Sequence, residues 1–257
     1  ALSDPSDIRH HLRWASAEAL QENDEAALAI VADGEALHPN EEAFPKMRLE
    51  IHLRRFQKIL IVEPLDISEA FAQLEVLLAL APANPQVIGQ IAHMSGSGES
   101  RVRARELLTR LAENESTPAL THKLLGDMAA LDADWSLALA SYEQAVKREP
   151  EFSAAKNNLA WCLTNLTPPQ LDRALLAVDE AIAIAKRQAP DRIQPNYLET
   201  RGQILVRLGQ YKEAVIPLEQ ALRFMPEKLQ KNVHSALAKA YRAMGNRSLA
   251  ETHHRRA

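Results

Sequence analysis

Six alanines recur along this chain at nearly constant spacing, and nothing else in it restricts the fold so tightly. Ala70, Ala104 and Ala138 stand 34 residues apart, and Ala174, Ala214 and Ala250 continue the series at 36, 40 and 36. Four of the six sit in apolar runs, ISEAFAQLEVLLALAP (67–82), RVRARELLTRLAENE (101–115), WSLALASYEQAVKREP (135–150) and YKEAVIPLEQALRFMP (211–226). Their period is that of a helix with one buried face. Self-similarity on this scale marks structural units too small to bury an apolar face alone, so neighbours must stack. The extra residues fall in loops: NLTPPQLD (165–172) lengthens the turn inside one unit, and KRQAPDRIQPN (186–196) lengthens the link to the next. Both are rich in proline and polar residues. NDEAALAIVADGEALHP (23–39) reads as an earlier second helix in a looser register.

Each alanine-bearing helix follows another apolar-periodic segment, so the unit is an antiparallel helix pair. In LETRGQILVRLGQYKEAV (198–215) the first helix closes on Gly209, and HSALAKAYRAMGNRSLAE (234–251) closes on Gly245 in the same way. Glycine at that place supplies the left-handed residue that ends a helix. DISE (66–69) reads as a capping box, with Asp66 accepting from first-turn amides and Glu69 reaching back.

These residues resemble the tetratricopeptide repeat. The family's first helix carries leucine then a small residue, matched by Leu125-Gly126, Leu159-Ala160 and Leu237-Ala238. Its second helix carries alanine, a bulky residue four later and alanine three after that. Ala138-Tyr142-Ala145, Ala174-Val178-Ala181 and Ala214-Leu218-Ala221 match, and prolines close units at Pro82, Pro150 and Pro226. Arg201 departs from the expected leucine, and a strict count puts Lys58 in the small-residue column. The match runs closely over 118–250 and less closely over 67–117. It implies an all-α fold, a right-handed superhelical solenoid of about six to seven antiparallel helix pairs. The approximate units within a single solenoid over 1–257 are 7–40, 41–83, 84–117, 118–151, 152–190, 194–227 and 228–257.

The resemblance also implies a working surface. In the family the first helix of each pair lines a concave face, and its exposed residues form columns that read partners. Here those columns hold Lys123 and Asp127, then Asn157, Asn158 and Trp161, then Glu199, Thr200 and Gln203. Leu159, Ala160 and Cys162 are expected to point into the stack. A tryptophan in a groove suits the anchoring of a peptide side chain, whereas Trp14 and Trp135 are expected to pack. One subfamily grips a peptide's C-terminal carboxylate with basic residues and asparagines. Lys123 and Asn158 fill two of its five columns, but Asp127 replaces an asparagine, and Asn196 and Thr200 replace a lysine and an arginine. An acid in such a site repels the ligand. The function implied is a non-catalytic scaffold for a protein or peptide partner. Two alternatives stand beside it: a module for self-assembly or for tethering a flanking domain or membrane anchor, and the regulatory repeats of an enzyme whose catalytic part lies elsewhere.

Composition adds exclusions. With 46% hydrophobic residues the chain builds a substantial core, and aromatics at only 5% favour helices over sandwiches or barrels. A net charge of −4 lacks the basic excess of a nucleic-acid binder. Arg242, Arg247, Arg255 and Arg256 read as a solvated helix end. The longest apolar runs, such as KILIV (58–62) and LLALAPA (77–83), fall far short of the roughly 20 residues that cross a bilayer. A start at ALSDPSD without Met suggests a piece of a longer chain, with a leader, anchor or domain upstream. The compartment stays open between the cytoplasm and a periplasmic or membrane-tethered setting.

No catalytic residue, metal or cofactor is expected. SGSGES (95–100) lacks the glycine that a phosphate loop needs at Arg101, and reads as a turn inside a helix pair. His10-His11 and His253-His254 are adjacent in sequence and so do not share a helix face. Cys162, the only cysteine, has no partner for a disulfide and reads as a buried, inert thiol.

Overall fold

The computed structural model describes residues 7–96, 98–192 and 194–257. Among them the chain forms fourteen α-helices and one 3-10 turn, with no strand. It divides into two compact units, Ala1–Thr117 and Pro118–Ala257.

The first unit holds α1 (Ile8–Leu20), α2 (Asp24–Leu37), α3 (Ala43–Leu60), α4 (Ile67–Leu80), α5 (Pro85–His93) and α6 (Gly98–Ala112). Ala15, Ala27, Val31, Phe44 and Ile51 form its N-terminal core. Gly34 lies against Phe44 so closely that any Cβ would collide with the ring. Arg54 and Arg48 of α3 pair with Asp24 and Glu35 of α2. Asp66 caps α4, accepting from the Glu69 amide at 2.9 Å. SGSGES lies only partly in the turn between α5 and α6: Ser95 and Gly96 belong to it, Gly98, Glu99 and Ser100 already open α6, and Ser97 lies outside the described residues.

Lys58 does not occupy the small-residue column. The α3–α4 turn spans 61–66, where the α7–α8 turn spans only 132–134, so the strict count slips. Lys58 instead reaches Glu22 at 3.3 Å. Trp14 is also not a packing residue: it is 52% exposed, with its indole N–H donating to Glu18 at 3.3 Å.

The second unit holds four pairs: α7 (Ala119–Leu131) with α8 (Trp135–Arg148), α9 (Ser153–Asn165) with α10 (Leu171–Gln188), α11 (Pro195–Arg207) with α12 (Tyr211–Phe224), and α13 (Lys231–Ala243) with α14 (Arg247–His254). Each second helix packs on the next first helix, and the first helices also touch one another in sequence. The recurring alanines Ala138, Ala174, Ala214 and Ala250 lie at the centre of this packing, each 2% exposed or less. Large and small residues alternate across each pair. Gly126 faces the Tyr142 ring, where a Cβ would stand 2.7 Å away, and Gly202 faces Leu218 with no room for one. In the intervening pair the same columns hold Ala160 and the smaller Val178, both fully buried.

Short turns close by one mechanism. The Asp134 amide donates to the Ala129 carbonyl at 2.8 Å, Gln210 to Leu205 at 2.9 Å and Asn246 to Tyr241 at 2.9 Å. This six-to-one bond satisfies carbonyls that the helix leaves orphaned. It requires a left-handed residue just before the donor, and Gly209 (φ 77°), Gly245 (φ 82°) and Ala133 (φ 57°) supply it.

Candidate functional site

The first helices of the second unit bring most of the expected columns to one place. Asp127 on α7 is the hub. Its Oδ2 pairs with Lys123 at 2.6 Å, one turn earlier on the same helix. Its Oδ1 accepts from the Tyr142 hydroxyl of α8 at 2.9 Å and from Asn158 Nδ2 of α9 at 2.8 Å. Asn158 Oδ1 in turn accepts from Asn157 Nδ2 at 3.3 Å. Burial, then the Asp127 charge, pushes ionisation of the Tyr142 phenol far above its ordinary value, which keeps it a neutral donor.

Above this network opens a cavity of about 380 Å³, lined by Asp127, Ala130, Leu131, Tyr142, Asn157, Asn158, Trp161 and Thr200. Its rim is apolar and wet: Leu131 is 66% exposed and Trp161 41%. Trp135 packs edge-on against Trp161 at 5.1 Å between ring centres, and so steadies the exposed indole. Asn157 and Thr200 sit at the base, only 5% and 8% exposed. Thr200 spends its hydroxyl on the Asn196 carbonyl at 2.9 Å. Asn157 Oδ1 is buried and, among the described residues, has no hydrogen-bond partner.

Glu199 and Gln203 lie outside this cavity and bond to each other at 2.8 Å. Burial holds the Glu199 carboxyl above its ordinary range. Leu159, Ala160 and Cys162 all point inward. Burial pushes the Cys162 thiol up to about 11, and its sulfur contacts the Trp135 carbonyl at 3.6 Å.

Neither a protein-family model nor a curated protein matches the sequence. Solved structures do match the fold. A chain of the APC/C hetero-tetramer Cut9-Hcn1 aligns over 91% of this chain with a TM-score of 0.62 at 17% identity, and this chain spans 49% of it. The type IV pilus biogenesis factor PilW aligns over 90% of this chain and 98% of its own, with a TM-score of 0.51 at 15% identity. TTC0263, a TPR protein of Thermus thermophilus, aligns over 68% and 90%, with a TM-score of 0.51 at 20% identity. The chain has the tetratricopeptide-repeat fold.

Within that TPR frame, the departure at Asp127 sets the charge of the cavity. Lys123, one of the two residues shared with the carboxylate-gripping subfamily, is already neutralised by Asp127. Among the described residues Asp127 is also the only ionic group lining the cavity, so an anionic chain end finds no free countercharge there. Sequence reasoning overlooks Leu131 and Tyr142. Leu131 lies four residues beyond Asp127 and so on the same helix face. Tyr142 stands in a column that is purely apolar in the two following pairs, and its hydroxyl is the signal, since a buried phenol seeks a partner. Among the described residues no cluster of three or more His, Cys, Asp or Glu is placed to hold a metal, and no helix is long and apolar enough to cross a membrane.

Proposed function

We propose that this chain is a non-catalytic interaction scaffold whose α7–α9–α11 surface, the concave face of the TPR frame, seats a segment of a protein partner. The observation that carries the reading is the cavity beneath Trp161. An exposed indole and an exposed leucine flank a floor of ordered polar groups. Apolar rim and fixed polar floor together suit the anchor side chain of a partner segment. Lys123 reaches the ligand through Asp127; Glu199 and Gln203 extend the surface along α11.

The test is capture of partners by the full chain and by a Trp161→Ala/Asn158→Ala variant whose helicity matches the parent. Loss of a central tryptophan anchor costs roughly 2 kcal/mol or more, so the variant should lose the partners that the parent retains. Equal capture by both proteins would overturn the reading.

A further inference from the structure

Lys186, Pro190, Arg192 and Gln194, around the link after α10, contribute to a second site, separate from the one above. Between α10, α11 and α12 lies a cavity of about 460 Å³. Ile182, Leu198 and Phe224 form an apolar wall, with Phe224 54% exposed at the edge. Around it stand Lys186 from the end of α10, Arg192 from the link and Arg223 from the end of α12, and among the described residues no acidic side chain lines the cavity. Asp191, the only acid of the link, is not part of the lining. None of the three cations is ion-paired among the described residues, whereas Arg187 beside them is held by Glu151 at 2.7 Å. In a chain of net charge −4, an all-basic ring around an apolar hollow is a local reversal of sign.

We propose that this hollow docks an acidic segment of a protein partner, with one bulky apolar side chain in the cavity and flanking carboxylates on Lys186, Arg192 and Arg223. Charge complementarity selects an acidic occupant. The exposure of all three cationic residues selects a peptide over a small free acid. A small anion is held by polar groups converging inside a pocket, and here the charge lies on the rim. An apolar centre with a charged rim is the anatomy of a protein interface. The insertion supplies Arg192 and spaces α11 from α10, so the added link residues acquire a role.

The test measures fluorescence anisotropy of a labelled hexapeptide carrying Leu-Phe between pairs of glutamates, titrated with the full chain. Saturable binding that weakens with salt is expected. Lys186→Glu/Arg223→Glu should weaken it about tenfold or more and should now bind the peptide with lysines in place of glutamates. Lys186→Gln/Arg223→Gln, milder at the helix ends, should fall between. Trp161→Ala should bind the acidic peptide as the parent does, which separates this site from the concave one. Unchanged affinity in both charge variants would overturn the proposal, as would loss of binding in Trp161→Ala. Full competition by equimolar phenylacetate would also overturn it, by showing that a free acid suffices.

Discussion

Ala133 holds a backbone conformation that its two sister turns in the second unit assign to glycine. Its φ of 57° matches the role of Gly209 and Gly245, and the Asp134 amide depends on it to reach Ala129. A left-handed conformation costs an L-residue roughly 1–2 kcal/mol, of which the greater freedom of an unfolded glycine offsets roughly 0.5–1 kcal/mol. Ala133→Gly should therefore raise the urea midpoint by about 0.5–1 kcal/mol of stability with an unchanged slope; a lower midpoint would show that the turn is not strained. The same scale explains what the sequence reveals of the site. Helical spacing places Asn158 and Trp161 on the outward face, but it gives direction without depth. Asn157, one residue earlier, is rotated by about 100° and sinks to 5% exposure. Trp14 fails the opposite way: its size suggests burial, yet Ala15 and Ala19, turned about 100° or more away from it on α1, are the residues that enter the core.

Between elements, packing rests on matched pairs of large and small residues. Gly202→Ala should cost about 1–3 kcal/mol, the usual penalty for overpacking, because the fully buried Leu218 has nowhere to move. Leu218→Val should recover much of that loss in the double variant, because it recreates the combination of Ala160 and Val178 seen one pair earlier. Strict additivity of the two changes, measured by denaturation, would refute the coupling. The repeat grammar is legible where turns are short and fails where they lengthen, as at 61–66, since spacing then counts loop residues as helix. It also misses what holds α14. There His234 and His253 face each other, Nδ1 to Nδ1, at 2.8 Å, with Tyr241 stacked on His253 and its hydroxyl on Glu219 at 2.6 Å. Burial holds both imidazoles below their ordinary value, reinforced by Arg256 at His234 and, at His253, by the His234 charge against a partly opposing Glu219. The unfolded chain thus binds protons first. Stability is complete above about pH 6.5 and falls as pH drops below it toward the folded values. His234→Gln/His253→Gln should show a shallower fall between pH 7 and 5 in urea midpoints; an identical fall would assign the effect to His52 and His122, which burial also depresses.

At the scale of the whole molecule, the alanine period hides a division. Ala104 and Ala138 are 34 residues apart, the same interval as within a unit, yet one compact unit ends at Thr117 and the next begins at Pro118. A periodic signal reports the register of each helix pair and carries no information about how many contacts join one pair to the next. Stability in stacked repeats is close to a sum of each pair and its immediate neighbours, so a unit's autonomy depends on its own core. The second unit has two extensive clusters, one around Tyr142, Leu163 and Val178 and another around Leu205, Leu218 and Leu237. It also has four pairs, where about three suffice for a stable stack. A fragment covering 118–257 should therefore be helical by circular dichroism and unfold in urea through one sigmoidal transition. A gradual, non-cooperative loss of signal would mean that its core depends on residues before Pro118.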